Sequence, residues 1–239
     1  MVENWISCPR CNSKTKSVSY YDETYGIIEE HINCKECGYY YNFEYGNYWE
    51  GVLPTKKNKT LIVNLLGGSG SGKSTGAAYI FAKLKLKGIE TELATEYVKD
   101  KVWEGTTEVF NNQAYIFGQQ YYKISRLLNK VDVIVTDSPL LLSAVYNHGD
   151  PPLEKYFNDF VIHVFKYYPS YNCLIKRVKP YNNNGRVHTE KESNDIHNSI
   201  KTLLNKQNID YSEFSGQESD YDNIIENILS ILKIRDREE

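Results

Sequence analysis

Apolar residues follow two different rhythms along this 239-residue chain. Up to residue 50 they come in short runs, Lys16 to Tyr21, Ile27 to Asn33 and Tyr39 to Phe43, with a turn near Asp22-Glu23-Thr24-Tyr25-Gly26. Short β-branched and aromatic runs broken by turn residues predict strands. From residue 60 compact apolar runs alternate with helix-period stripes. Thr60 to Leu66 predicts a buried strand, and Ala77, Ile80, Phe81 and Leu84 then predict a helix that Gly88 caps. Ile89 to Thr95 reads as a strand. Asn111 to Asn129 reads as a helix with Ala114, Phe117, Tyr121, Ile124 and Leu128 on one side. Val131 to Thr136 and Phe160 to Phe165 predict two more strands. Thr189 and Glu192 form a capping box that opens a helix over Glu190 to Leu204. Ile209 to Phe214 gives a last strand, and a closing helix from Asp220 carries Ile224, Ile228 and Ile231.

The junction of the first strand and helix of the body holds Gly67-Gly68-Ser69-Gly70-Ser71-Gly72-Lys73-Ser74-Thr75. It fits G-x-x-x-x-G-K-[ST], the phosphate-binding loop, between the strand and helix that this motif requires. Small residues let backbone N–H groups turn inward around a polyphosphate. Lys73 then reaches the terminal phosphates, and the Ser74 hydroxyl can hold Mg²⁺. The fold class expected is α/β: a P-loop three-layer αβα sandwich with a parallel sheet, preceded by a small β zinc ribbon.

The ribbon follows from the cysteines. Cys8 and Cys11 form one C-x-x-C pair, Cys34 and Cys37 a second, and 22 residues separate the pairs. Four thiolates on two tight turns suit a tetrahedral Zn²⁺ site, which is a sensible staple for about 50 residues with little core. A disulfide framework competes less well in a chain carrying a cytosolic nucleotide motif. Cys173 stands apart and reads as an ordinary thiol. The domain expectation is residues 1–50 for the ribbon, 51–59 for a linker with three lysines, and 60–239 for the nucleotide-binding body.

Charge limits the partners. The formal net charge is −3 overall, so no general polyanion-binding surface is implied. Residues 1–50 hold four Lys/Arg against eight Asp/Glu, a net of −4, which disfavours phosphate binding by the ribbon and makes protein docking at least as apt. Met1-Val2-Glu3-Asn4 has neither a basic segment nor an apolar run. No stretch approaches the roughly 18–20 apolar residues of a membrane span. A cytoplasmic location with no membrane partner is expected, the host cytoplasm if the chain is phage-encoded.

Further candidates sit where parallel strands end, because ligands of such sheets bind at the carboxyl ends. Glu96 follows the second strand of the body and can take a proton from an attacking hydroxyl. Asp137 follows the strand at Val131 to Thr136 and occupies the Walker B position, where an acid holds Mg²⁺. Arg177 and Arg186 flank a polar Asn-Asn-Asn-Gly turn, which suits a mobile lid that brings positive charge to the phosphates. His188 reads as a surface histidine.

The run Phe117-Gly118-Gln119-Gln120-Tyr121-Tyr122-Lys123-Ile124-Ser125-Arg126 resembles the substrate helix of deoxynucleoside kinases. That resemblance implies that Gln119 reads a nucleobase and that Arg126 holds charge near the reacting centre. Asp137-Ser138-Pro139 departs from the acid-Arg-Ser triplet of those enzymes. The element order over residues 59 to 232 is similar to the nucleoside and nucleotide kinases, including nicotinamide-riboside kinase domains. Thr95-Glu96-Tyr97 and Asp137-Ser138-Pro139-Leu140-Leu141 look most like phage-encoded ATPases of that branch. The resemblance implies ATP- and Mg²⁺-dependent transfer to a nucleoside, nucleotide or modified base. Two other readings stay open: a kinase acting on DNA or RNA docked by the ribbon, and a regulatory ATPase with the ribbon as a protein adaptor.

Overall fold

The computed structural model describes residues 2–22, 26–44, 47–52, 60–148, 151–182 and 188–238. The chain divides into two compact units, Met1–Lys59 and Thr60–Glu239. The expected linker falls mostly on residues 53–59, outside the described residues; residues 51 and 52 belong to a strand. No helix among the described residues is long and apolar enough to cross a membrane.

The first unit is a five-stranded meander in sequential order, β1 (Val2–Ser7), β2 (Lys14–Asp22), β3 (Gly26–Asn33), β4 (Tyr39–Glu44) and β5 (Asn47–Val52). All four pairings are antiparallel. The sequence expectation held three of these strands. The edge strands β1 and β5 have mixed polar composition, and their partner strands supply the hydrogen-bond ladder that their side chains do not advertise.

The second unit carries a parallel sheet in the order β10-β9-β6-β8-β7. Its strands are β6 (Leu61–Leu66), β7 (Thr91–Ala94), β8 (Val133–Thr136), β9 (Ser170–Lys176) and β10 (Ser212–Ser215). Alternate side chains feed two cores. Leu61, Val63 and Leu65 of β6 join Val133, Val135, Cys173 and Ile175, and are covered by α1 (Lys73–Leu86) and α7 (Glu218–Glu238). Ile62 and Leu66 join Ile134 and Leu174 on the opposite face. There they are covered by α3 (Gln113–Ser125), α4 (Leu142–Tyr146), α5 (Pro151–Tyr167) and α6 (Glu190–Lys206). A short α2 (Tyr97–Glu104) links β7 to α3 through a 3-10 turn at Thr107–Asn111. This is a three-layer αβα sandwich, with both sheet faces buried as parallel sheets require.

One expected strand is corrected. Phe160 to Phe165 is not a strand but the inner part of α5. Val161, Ile162 and Phe165 are buried at helical spacing, and a short continuous apolar run does not distinguish a buried strand from the buried side of a helix. The strand is β9, ten residues later. Its register pairs Asn64 of β6 with Asn172. The Asn64 amide donates to Asn172 Oδ1 at 2.9 Å, and the Asn172 amide donates to the Asp210 carbonyl at 3.0 Å. Both side chains are buried.

The start of α1 is wedged against α7. Tyr221 is buried, and its hydroxyl donates to the Gly72 carbonyl at 3.0 Å. A Cβ at Gly76 would strike the Tyr221 ring, whereas one at Gly118, in α3, would meet nothing within 4 Å. Alanine favours a helix over glycine by about 1 kcal/mol, and overpacking costs about 1–3 kcal/mol. Gly118→Ala is therefore expected to raise the denaturant midpoint and Gly76→Ala to lower it, with equilibrium unfolding monitored by circular dichroism as the check.

Candidate functional site

The loop between β6 and α1 is shaped by positive φ angles of 142° at Gly67, 75° at Gly70 and 101° at Gly72, a region that favours glycine. It is also hemmed in. A Cβ at Gly67 would lie 2.6 Å from the Ile175 carbonyl oxygen, and one at Gly72 would lie 2.5 Å from the Tyr221 hydroxyl. A Cβ at Gly68 would collide with the Ser193 carbonyl. Ser193 of α6 further holds the loop by donating to the Ser69 carbonyl at 2.7 Å. Lys73 Nζ donates to the Gly67 and Gly68 carbonyls, both at 2.9 Å, which places its ammonium across the mouth of the loop. The Ser71 hydroxyl is buried without a hydrogen-bond partner. Ser74 and Thr75 lie exposed in the first turn of α1. A glycine cradle closed to Cβ atoms, an ammonium over it and a helix N-terminus behind it fit a polyphosphate.

Asp137 and Glu96 converge at the strand tips. Asp137 is buried at the end of β8, and its Oδ1 accepts the Glu96 N–H at 3.0 Å. The other carboxylate oxygen, together with the Ser74 hydroxyl, provides hard oxygen donors suited to Mg²⁺. Glu96 caps α2 with extended backbone. Burial raises its carboxyl above the usual carboxylate range; the Lys73 ammonium opposes this, Asp137 adds to it, and Lys99 and Lys123 oppose it more weakly. Gln120, which the sequence did not single out, braces the pair. Its Oε1 accepts the Tyr97 N–H at 3.2 Å and its amide donates to Thr136 Oγ1 at 3.4 Å. Its neighbour Gln119 is half-buried.

Arg126 is not brought to this centre. It is exposed at the C-cap of α3. Three residues on, the Asn129 N–H donates to Thr60 Oγ1, whose hydroxyl donates to the Val131 carbonyl. These bonds tie that end of α3 to the start of β6, about 20 Å along the strand from the glycine loop.

Arg177 leaves β9 and is clasped by α6. Its Nη2 lies 3.0 Å from Glu190 Oε1 and 2.7 Å from Asn194 Oδ1, its plane covers the Tyr181 ring at 4.9 Å, and its Nη1 is buried without a hydrogen-bond partner. Arg186 lies outside the described residues. The capping box at Thr189 and Glu192 is formed as expected.

His188 is a correction. It is half-buried beside the loop, with Nδ1 3.5 Å from Ser69 Oγ and its ring stacked on Tyr146 at 5.8 Å. Burial lowers its pKa, Glu192 opposes that, and Lys73 adds to it. Its position one residue ahead of the capping Thr189 was the available signal, since the N-terminus of α6 meets the loop. Beside Gly70, Gly72 and Thr75 a cavity of about 670 Å³ opens between Val178, Pro180 and Asn182 on one side and Gly216, Gln217 and Tyr221 on the other.

In the N-terminal unit, Cys8, Cys11, Cys34 and Cys37 place their sulfurs within 4.8 Å of one another. Cys8 and Cys37 are 3.6 Å apart, and Cys11 and Cys34 are 3.7 Å apart. A tetrahedron with Zn–S bonds of about 2.3 Å has edges of about 3.8 Å, and a disulfide is far shorter. The set therefore fits Zn²⁺. The Ser13 hydroxyl contacts Cys11 and Cys34 at 2.9 and 3.1 Å and is the main cause that lowers the Cys34 thiol to about 6. Thiolate character of this kind favours metal binding. Cys173 is buried in the sheet, and burial raises its pKa.

A family model described as an AAA domain matches residues 62–220. No curated protein matches the chain in sequence. Among solved structures, thymidylate kinase from Ehrlichia chaffeensis is similar with a TM-score of 0.48 at 14% identity, over 71% of this chain and 98% of that one.

The purified chain is expected to carry one zinc per molecule by elemental analysis, and Cys34→Ser to carry essentially none. Chelation should unfold residues 1–50 while leaving ATP-analogue binding by residues 60–239 within about twofold, since structural zinc contributes its binding energy to the fold around it.

Proposed function

The chain belongs to the AAA domain family, and from the geometry of its loop and strand tips we propose that it transfers the terminal phosphoryl group of ATP to a nucleoside, a nucleotide or a modified base. One observation carries this reading above all. A half-buried glutamate at one strand tip gives its N–H to the carboxylate of Asp137 at the next, within the field of the loop lysine. Phosphoryl transfer asks a protein for positioning and charge stabilisation more than for covalent chemistry.

In this reading the loop amides and Lys73 hold the β- and γ-phosphates. The donor's base takes the cavity between Val178, Pro180 and Gln217. Ser74 and Asp137 hold Mg²⁺, which when bound neutralises charge on the transferred group. Glu96 orients the acceptor and receives the hydroxyl proton where the acceptor is an alcohol; where it is a phosphate, Glu96 only positions it. Arg177 exchanges its clasp on Glu190 for the phosphates, and Arg186 is the second lid cation. Gln119 is the side chain proposed to meet the acceptor base. Arg126, at the far edge of the sheet, takes no part.

The family match equally suits a regulatory ATPase with the N-terminal unit as an adaptor. Asp137 is followed by Ser138-Pro139 with no second acid to activate water, which favours transfer to a bound acceptor. Glu96→Gln should lower acceptor phosphorylation by about 10²–10⁴-fold while ATP affinity changes less than about threefold. A screen of nucleosides, nucleotides and oligonucleotides with labelled ATP reads this out. ATP turnover that needs no acceptor and is unchanged by the substitution would decide for the ATPase.

A further reading, docking of nucleic acid by the N-terminal unit, has one specific observation behind it. Trp5 is 61% exposed, and Lys14 and Lys16 hold their ammoniums 5.0 and 5.4 Å from its ring. Lys16 is held by Glu3 at 2.9 Å, so the ring together with Lys14 is the platform offered to a base and its phosphate. Fluorescence anisotropy with a labelled single-stranded oligonucleotide should show salt-sensitive binding that Trp5→Ala weakens by about 1–3 kcal/mol; binding unaffected by that change would remove this reading.

A further inference from the structure

α5 carries a second apolar pattern beside the one that packs into the core; Phe160 belongs to both, since its ring also meets Phe117 edge-on at 5.4 Å. Val161, Ile162 and Phe165 are buried beneath it. Leu153, Tyr156, Phe160, His163 and Tyr167 recur at i, i+3, i+7, i+10 and i+14, and all five are exposed. Leu153, Tyr156, Phe160 and Tyr167 keep 69%, 70%, 54% and 49% of their surface accessible. This is the 3.5-residue spacing of a narrow coiled-coil seam and not the broader stripe with which a helix packs onto a sheet. The seam runs for about 21 Å, and it has α5's own buried face on its other side.

We propose that this seam is where two copies of the chain associate, α5 against α5, antiparallel about a two-fold axis that passes between Phe160 and His163. Three observations carry the choice of occupant. The spacing asks for a second helix at coiled-coil geometry, and a symmetric pair supplies one with the same spacing. The charge along the seam is self-complementary. Asp159 and Lys166 are both exposed, lie seven residues apart on the same border and carry opposite sign; Asp159 also lies 3.6 Å from Lys155 on its own helix, an exposed pair weak enough to be exchanged. In the antiparallel pair this border faces itself and each falls within reach of the other in the second copy, whereas a parallel pair would set it against the opposite border, where Val164 lies, and leave the charges unmatched. In the same arrangement Tyr156 faces Tyr167 and Phe160 faces His163. The area is also sufficient. With aromatic side chains of about 150–250 Å², the exposed remainder is about 500 Å² per copy. The total near 1,000 Å² is the size at which a specific interface begins, and interfaces of that size belong to weak, transient pairs. Nothing in this inference depends on the reaction proposed above.

Sedimentation velocity on the full, zinc-loaded chain over about 1–200 μM tests it. A concentration-dependent dimer is expected. Tyr156→Arg should weaken it at least about tenfold while leaving the melting temperature and ATP-analogue binding unchanged, because Tyr156 lies on the outer side of α5. Asp159→Lys should weaken it as well, and the double exchange Asp159→Lys with Lys166→Asp should restore it. A chain that stays monomeric throughout, a dimer indifferent to Tyr156→Arg, or a double exchange that fails to recover association overturns the proposal.

Discussion

The close approach of backbone to backbone around the glycine loop is the constraint on which the rest of the molecule turns. The loop touches β9 through Ile175, α6 through Ser193 and α7 through Tyr221, with no room for a Cβ at Gly67, Gly68 or Gly72. Each contact comes from a different part of the chain, so the loop adopts its shape only when three elements of the second unit are in place. The parallel sheet makes this possible. It delivers the ends of β6, β8 and β9 to one edge and leaves the helix N-termini of α1 and α6 beside them. The charge at that edge is mixed. Lys73, Lys99 and Lys123 all act on a single raised carboxyl, and Lys73 and Glu192 act in opposite senses on His188.

Much of this was legible in the sequence, and what was not has a physical reason. The loop and the four cysteines were readable because their chemistry is local: ligand spacing and small residues leave a mark within a few positions. β6 and β8 were readable because both of their faces are buried, which forces unbroken apolar runs. β9 is equally central, but it contains Asn172, and a buried amide satisfied by another amide across the sheet looks polar in one dimension. Phe160 to Phe165 misled for the complementary reason, since α5 sets exposed aromatics beside its buried face and the run across them loses its period. Asp137 and Glu96 could be placed from topology alone. Arg126 could not, because a helix that returns antiparallel to its strand carries its last residues to the far edge. The surroundings of His188 and Arg177 depend on how the N-terminus of α6 meets the loop, a long-range contact that no local pattern encodes.

The two units are stabilised by different physics. The second holds its fold through two apolar cores on either side of the sheet. In the first, the buried apolar cluster among described residues comprises two of the cysteines, with Ile32, Cys37 and Tyr41 packed against them. Zn²⁺ held by these four sulfurs would add its binding energy to the antiparallel ladders of this unit.

The amide pair between β6 and β9 has a consequence for how the sheet is assembled. Asn64 and Asn172 satisfy each other at one alignment only; a slide of a single residue would set Asn64 against Tyr171 or Cys173 and strand two amides in an apolar interior, at about 1–3 kcal/mol for each. Mis-threaded versions of the central strands are thus penalised as soon as helices bury that face, and the two strands that carry the phosphate loop and the arginine clasp arrive level with each other.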